Sequence, residues 1–567
     1  MSPYLKKELT LVDIFCVATG AMISSGLFVL PALVYGQAGP GIVLSYFIAG
    51  LLTIPAMMSK AELATAMPRA GGDYFFISRS MGFAAGTIGG FSSWFSLSLK
   101  SAFAIIGLSA YLSLLVKLPL NVIAVFFCLL FLFINYKGVG FAGRFQVVFT
   151  LSLLALLVFY GTWGIHLIKL ERLSPFMPYG YKSVFATAGF VFISYGGLTK
   201  VASMAEEVRN PGKNIPLAMI LAIIVVTLIY TLVVYTTAGL LPPEKLQNTL
   251  TPIADGAMAL AGVGGRTLIE LAAIFAFITT ANAGMMSSSR YPVAMSRDGL
   301  LPGFFRKIHK KFKTPWISLC VTSLFMALSI LFLQLEMLVK VGSTLLIILF
   351  AFANISVIIM RESKILNYQP QFRAPFYPYL QAIGILIAVF LIVEMGTDTV
   401  QLAGLFIVLT LIWYWIYVRI RVTKEYALIH VIERITAKEL TSYTLETELK
   451  EILQERDNIV EDRFDNTIKH SIVLDIRGRV DRNHLFEIVA AATEERIGIK
   501  KEKLIGLFTE RERETSTVIR PGLAIPHIIV DGEQKFDIVL VRCRDGIVFS
   551  KETSPVHACL LYTSPSP

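Results

Sequence analysis

The chain has 567 residues, of which 55% are hydrophobic and only 16% charged, and its mean hydropathy is +0.66. So few charges cannot wet the surface of a soluble protein of this size, and the same figures exclude intrinsic disorder, a collagen-like repeat and a disulfide scaffold. The net charge of +11 joins two unlike parts: 31 basic and 15 acidic residues before position 425, then 20 basic and 25 acidic in residues 425–567.

Taken from the N-terminus, the basic body holds twelve apolar stretches, each near the roughly 20 residues that a helix needs to cross a bilayer. They lie at about 12–36, 40–66, 82–116, 119–136, 144–168, 183–205, 214–240, 263–290, 315–335, 338–360, 378–396 and 400–420, and are called spans 1 to 12 below. An α-helical polytopic membrane domain of transporter size, residues 1–424, is the expectation. Lys and Arg concentrate in the N-terminus, in the loops after spans 2, 4, 6, 8 and 10, and after span 12. Basic loops stay on the cytoplasmic side, so both the N-terminus and the C-terminal tail are expected there, with the spans in the cell (inner) membrane. Span 1 is too long for the core of a signal peptide and is expected to stay as an anchor. The five cysteines (Cys16, Cys128, Cys320, Cys543 and Cys559) have neither paired nor metal-ligand spacing, so no metal is expected.

Two spans carry helix breakers where a spanning helix would run on. Span 1 reads Gly20-Ala21-Met22-Ile23-Ser24-Ser25-Gly26-Leu27, and span 6 reads Ser194-Tyr195-Gly196-Gly197-Leu198. Unwound backbone at membrane depth is tolerated only where protein or a water-filled cavity satisfies it. Its free N–H groups attract a carboxylate and its free C=O groups an ammonium, so the pair suits a zwitterion. Small residues that merely let helices pack closely are the plainer reading of either run alone. On span 3, Lys100 lies near mid-bilayer, 18 residues past Gly82 and 17 before Lys117. A charge at that depth costs at least ~2.5 kcal/mol and calls for a partner inside the bundle. Three roles stay open for it: exchanging protons with a transport cycle, binding an anionic substrate side chain, or resting on carbonyls of a broken helix.

The loops add ordered motifs. After span 2 come Glu62-Leu63-Ala64 and Pro68-Arg69-Ala70-Gly71-Gly72-Asp73-Tyr74; after span 6 come Glu206-Glu207-Val208-Arg209-Asn210-Pro211 and Ile215-Pro216. After span 8 come Ser289-Arg290-Tyr291-Pro292, Arg297-Asp298-Gly299-Leu300-Leu301-Pro302 and Thr314-Pro315. Together with the Gly-x-Met-Ile-x-Ser-Gly run of span 1, these motifs resemble the amino acid–polyamine–organocation superfamily of permeases over all twelve spans. The resemblance implies a 5+5 inverted repeat with broken helices 1 and 6, plus two more helices. It implies that the backbone of Ser24, Ser25 and Gly26 receives the substrate carboxylate, that carbonyls of Ala21, Met22 and those near Ser194 hold the ammonium, and that Tyr195 and Gly197 shape the side-chain end. Family members often have glycine where this chain has Ser24, so the pocket is expected to be narrower. Some members carry a lysine on helix 5; the aligned position is Ser152, which argues against that cation-mimic mechanism. Sodium stays open through helix 1 carbonyls with Thr279 or Thr280 and Ser152 nearby. Glu206, Glu207 and Arg209 are expected to fix the cytoplasmic gate. No cofactor is expected beyond a coupling ion, proton or sodium.

The tail changes character twice. Residues 425–469 keep apolar residues at a 3–4 spacing (Leu428, Val431, Ile432, Ile435, then Leu445, Leu449, Ile452, Leu453) among dense mixed charge, which predicts a helical connector resting on the membrane domain or a partner. Residues 470–567 alternate short β-type runs with helices, around 471–475, 483–497, 500–509 and 536–542, so a small α/β domain is expected. Here Arg511-Glu512-Arg513-Glu514-Thr515-Ser516-Thr517 and Gly522-Leu523-Ala524-Ile525-Pro526-His527 resemble the enzyme IIA domain of fructose–mannitol and nitrogen-related phosphotransferase systems. The resemblance makes His527 the phosphoryl acceptor and a phosphocarrier protein, or another cytoplasmic regulator, its partner. A neutral imidazole is a competent nucleophile near pH 7; a histidine satisfied at a strand end is the alternative. Such domains normally run on to a second histidine, and His557 is not assigned that role; the tail is expected to be truncated at Tyr-Thr-Ser-Pro-Ser-Pro.

The reading that joins these parts is a secondary active amino-acid transporter, not an enzyme, tuned by an enzyme-IIA-like cytoplasmic domain, with the lipid bilayer as its setting and no nucleic-acid partner. A polyamine or organocation transporter and an amino-acid sensor with a transporter fold are the alternatives. Few acidic residues lie deep in the spans to receive extra positive charge, which weighs against polyamines. A sugar-phosphorylating permease would need a IIB domain, and none is visible.

Overall fold

The computed structural model describes residues 9–565 apart from 69–70, 114–117, 139–142, 313, 366, 422–425, 437–443, 458–467, 515, 521, 531–536 and 550–554. The chain divides into two compact units, Met1–Arg456 and Asp457–Pro567.

The first unit is helical. Thr10 caps α1 (Leu11–Met22) with a capping box, its side chain accepting from Asp13 N–H while Asp13 accepts from Thr10 N–H at 2.8 Å. The chain then unwinds at Ile23 and Ser24 and resumes as α2 (Ser25–Phe28) and α3 (Leu30–Ala38). There follow α4 (Ile42–Ala66), α5 (Gly72–Met81), α6 (Phe83–Leu112), α7 (Leu120–Lys137), α8 (Gly143–Ile165) and α9 (Gly180–Val191). A 3-10 turn, Phe192–Tyr195, and two glycines separate α9 from α10 (Leu198–Ser203). Next come α11 (Pro211–Leu240), α12 (Pro243–Gln247), α13 (Pro252–Arg297), α14 (Trp316–Phe332), α15 (Leu335–Glu362), α16 (Tyr379–Glu394) and α17 (Thr397–Trp413). Within α13 the backbone leaves helical geometry at Ala261 and Gly262, whose φ of 64° suits glycine, so span 8 proper begins after that kink. Among the described residues nine helices are long and apolar enough to cross a membrane, and three shorter apolar ones, Leu11–Met22, Trp316–Phe332 and Tyr379–Glu394, accompany them.

The two interrupted segments occupy the middle of the packing. α1 packs on α8, α10 and α11, α4 on α9, α11 and α15, and α6 on α13 and α15. The expected connector forms α18 (Ala427–Thr436) and α19 (Thr444–Asp457). Leu445, Leu449 and Ile452 of α19 are buried in the same apolar cluster as the spans, which is the amphipathic seam that their spacing predicts. Gly82, at φ 89°, is where Tyr426 comes closest: a Cβ there would sit 2.9 Å from the Tyr426 ring.

The second unit is α/β. Its strands are β1 (Ile472–Ile476), β2 (Val480–Asp481), β3 (Val518–Arg520), β4 (Leu523–Ala524), β5 (His527–Val530), β6 (Asp537–Val548) and β7 (Val556–Pro565). They form one mixed sheet of order β1-β6-β7-β4-β3, with β2 on β6 and β5 on β7. Helices α20 (Arg482–Ile497) and α21 (Lys501–Glu514) close its apolar face through Leu485, Phe486, Val489, Leu504 and Phe508. Of these elements the sequence reading names β1, α20, α21 and β6, ending α21 at 509 and the Asp537 strand at 542, six residues short of Val548. The extension is held by antiparallel pairing of β6 with β7, a long-range contact that local pattern does not show.

Candidate functional site

The breaks of spans 1 and 6 meet face to face. A Cβ on Gly26 would overlap the Ser194 hydroxyl, and one on Gly197 would lie 2.7 Å from Ala18 O and 2.8 Å from Met22 N. Only glycine lets the two backbones approach this closely. Ser194 Oγ donates to Gly26 O at 3.3 Å, Tyr46 Oη to the same carbonyl at 2.6 Å, and Tyr230 Oη to Met22 O at 2.7 Å. Span 10 repairs the other break: Ser343 Oγ accepts from Ile193 N–H at 3.1 Å and donates to Phe190 O at 2.7 Å. Unwound backbone inside the apolar bundle is thereby satisfied by hydroxyls.

All eight residues that the resemblance assigns to substrate (Ala21, Met22, Ser24, Ser25, Gly26, Ser194, Tyr195 and Gly197) are buried. Ser24 and Ser25 each carry a buried hydroxyl with no hydrogen-bond partner among the described residues. Since the first N–H groups of a helix have no carbonyl of their own, donors and hydroxyls gather where α2 starts. Two roles differ from expectation. The carbonyls near Ser194, expected to hold a substrate ammonium, are taken by the chain itself: Lys100 Nζ donates to Ile193 O at 3.0 Å and Ser194 O at 3.3 Å. Tyr195 does not point its hydroxyl at a side-chain pocket; it donates to Tyr46 O at 2.7 Å. Tyr46, Tyr195 and Tyr230 form an edge-to-face cluster with centroids 5.5–5.6 Å apart.

The coupling candidates separate. Thr280 Oγ1 reaches Gly20 O of the span 1 break at 3.3 Å, whereas Thr279 Oγ1 bonds within its own helix, to Ala276 O at 3.0 Å. Ser152 lies on the exposed face of α8 and the structure does not bring it to the span 1 carbonyls. The buried hydroxyl beside it on α8 is Thr150, with Leu153 and Leu157 buried one and two turns further on.

Sequence reasoning passed over a second buried charge system. Lys60 donates to Asp73 at 2.7 Å, both side chains at most 1% exposed, and Lys60 also lies 4.1 Å from the centre of the Phe350 ring. Lys60 and Lys200, also buried, sit in apolar runs as Lys100 does. The signal was present, but their nearness to a span's end hid them. Glu62, noted only as part of a motif, accepts from Arg361 at 2.8 Å, from Tyr368 Oη at 3.1 Å and from Ala374 N at 2.8 Å. The 206–209 segment is pinned through its backbone, Leu9 N–H donating to Glu207 O and Arg209 N–H to Leu9 O, each at 3.0 Å. Arg79 of α5 donates to both oxygens of Glu448 on α19 at 2.9–3.1 Å and to Asp298 at 3.3 Å, and Tyr74 Oη donates to Asp298 at 2.7 Å.

In the second unit His527 opens β5. Its Nε2 accepts from Arg511 Nε at 3.2 Å, and its Nδ1 faces Ile525 O at 3.4 Å. An arginine can only donate, so the proton of the neutral ring belongs on Nδ1 and the lone pair on Nε2. The ring stacks on Tyr562, centroids 5.3 Å apart, and borders a cavity of about 500 Å3 shared with Arg511, Ser516 and Thr517. His557 lies elsewhere, Nδ1 donating to Cys543 O at 3.2 Å.

Comparison with known proteins agrees with both units. Residues 13–427 match the amino acid permease family, and residues 468–567 match the EIIA type 2 domain of the phosphoenolpyruvate-dependent sugar phosphotransferase system. The chain is 31% identical to a methylthioribose transporter of Bacillus subtilis (strain 168), over 68% of this chain and 87% of that protein. It is 28% identical to the branched-chain amino acid permease BcaP of the same organism, over 73% of this chain and 94% of the relative. Cationic amino acid transporter 1 of Arabidopsis thaliana is 27% identical over 63% of each chain.

Proposed function

Because the chain belongs to the amino acid permease family, we propose that it is a secondary active transporter for neutral, apolar amino acids. On this reading twelve spans in a 5+5+2 arrangement lie in the cell membrane, with both termini cytoplasmic. The observation that carries the reading is the mutual seating of the two breaks, Gly26 against Ser194 and Gly197 against Ala18 and Met22. It leaves the hydroxyls of Ser24 and Ser25 and the start of α2 to receive a carboxylate. The surroundings are Met22, Ile23, Leu27, Phe28 and the tyrosine cluster, all buried, and the charge held on the span 6 break, Lys100, is positive. A neutral side chain suits such walls; a cationic one would meet like charge. Among relatives, a branched-chain permease is closer in this chemistry than the cationic transporters. The test is uptake of labelled amino acids into proteoliposomes, with and without proton or sodium gradients. Leucine, isoleucine or valine should accumulate and lysine or putrescine should not compete. Saturable binding without flux under any gradient would favour a sensor.

The C-terminal domain supports a regulatory role. His527, with its Nε2 lone pair beside Arg511, is placed to take a phosphoryl group whose charge the guanidinium would neutralise. In that step the carrier's N–P bond breaks, a bond from Nε2 to phosphorus forms, and Nδ1 keeps its proton. Incubation with a phosphorylated phosphocarrier protein should label the wild type and His557→Gln but not His527→Gln. The route to the spans is the connector, through Glu448 on Arg79.

A further inference from the structure

A small cavity lies beside the break of span 6, and its polar walls are Asp73, Ser93, Ser96, Lys100 and Tyr291. Three of those walls present buried polar atoms without a partner among the described residues: Asp73 Oδ1, Ser93 Oγ and Tyr291 Oη. Orphaned buried groups cost free energy and call for a ligand. The volume is about 10 Å3, room for a single water, which needs two to four polar partners and would find them here. A metal cation does not suit the site. Lys100 faces the cavity, Lys60 holds Asp73 from the other side, and Lys200 lies beyond the span 6 break, while α15 lends only Leu346 and Leu349. One carboxylate among three ammonium groups leaves no net attraction for more positive charge.

From this geometry we propose that the cavity is a proton station linking the span 6 break to the Lys60–Asp73 pair; the proposal rests on the transporter reading above. Lys100 spends two of its three donors on Ile193 O and Ser194 O, which leaves one N–H for the cavity. In the transfer that N–H bond breaks. The proton passes along the cavity water and the hydroxyls of Ser93 and Tyr291, each gaining one proton and giving one up. It ends as an O–H bond on Asp73 Oδ1, while Lys60 keeps its own proton. Lys100 then keeps its two N–H donors on the carbonyls of the broken helix but loses its charge, which weakens its hold on them and ties the proton to the backbone that faces substrate. The reverse sequence resets the carrier.

The experiment uses the full chain in proteoliposomes with a trapped pH dye and an equimolar mixture of labelled standard amino acids. Two quantities are read: exchange with no gradient, and accumulation driven by an acid exterior. Asp73→Asn should leave exchange close to wild type and lower gradient-driven accumulation at least about tenfold. Accumulation by this variant at the wild-type level overturns the station. Should Asp73→Asn fail to fold, as judged by size exclusion, Tyr291→Phe decides: slowed proton uptake with intact exchange supports the relay, and unaltered proton uptake overturns it. A wild type that exchanges but ignores the pH gradient removes the station and keeps the transporter. One that neither exchanges nor accumulates removes both.

Discussion

At the scale of single residues, the breaks depend on missing atoms as much as on present ones. A Cβ on Gly197 would press on backbone atoms of α1, which no rotamer change relieves. Overpacking of this kind costs about 1–3 kcal/mol. Gly197→Ala should therefore lower thermal stability and cut uptake sharply, whereas Gly404→Ala, with nothing within 4 Å, should change neither. Melting curves in detergent beside uptake assays read both effects. Lys100→Met deserts the two carbonyls of the span 6 turn, so uptake should lose its pH dependence; an unchanged profile would count against Lys100 as a proton carrier. The threonines make a sharper contrast. Thr280→Val removes the hydroxyl on Gly20 O and should weaken uptake, while Thr279→Val should be silent, since that side chain serves only its own helix. Periodicity alone left the two equal, because adjacent residues on a helix point about 100° apart and only the packing says which direction is inward. Ser152 was reached through the resemblance instead, and on α8 it faces outward while Thr150 is buried. In the tail, burial pushes the Cys559 thiol up to about 12. A thiol held there stays protonated at pH 8, so maleimide should leave Cys559 unlabelled until the domain is unfolded.

At the scale of elements, α19 is the informative piece. Its spacing of Leu445, Leu449 and Ile452 foretold an apolar seam, and the seam is buried against the spans. What the pattern did not reveal is the partner of Glu448. Arg79 is 3% exposed and holds two carboxylates, one from the connector and one from the end of α13. Asp298 remains when Glu448 is neutralised, so Glu448→Gln should loosen α19 without stranding Arg79. A part-exposed pair is worth up to ~1 kcal/mol, or about fivefold in an equilibrium. Maximal uptake should accordingly shift by about two- to fivefold while the apparent substrate affinity holds. Arg79→Met would instead take the guanidinium from both Glu448 and Asp298, leaving Asp298 with Tyr74 alone, with a larger loss. If uptake by Glu448→Gln matched the wild type, the connector would be a passive tether.

At the scale of the whole molecule, two units with separate cores share one chain. The first has the hydroxyl-lined breaks and buried ions of a carrier, and the second has a histidine, an arginine and a cavity on a sheet edge. Removing residues 457–567 deletes only the second unit and spares the connector's contacts. The truncated chain should still insert and exchange substrate, while any response of uptake to the phosphocarrier should vanish. Uptake kinetics unchanged by both this truncation and phosphorylation would end the regulatory reading.

The helical membrane class, the two breaks and both family resemblances were legible in the residues alone. Those features live in runs of apolar residues, in glycine and serine placed where a helix cannot continue, and in short contiguous motifs, all of which are local. It takes the packed helices to show that Lys100 rests on the carbonyls once assigned to substrate, that Lys60 pairs with Asp73, and that Arg79 joins three elements. Each of these pairs groups 13 to 369 residues apart along the chain. A buried charge must find a counter-charge or dipole, but which one it finds is set by how helices cross, and helix crossing is not written in any single stretch of sequence.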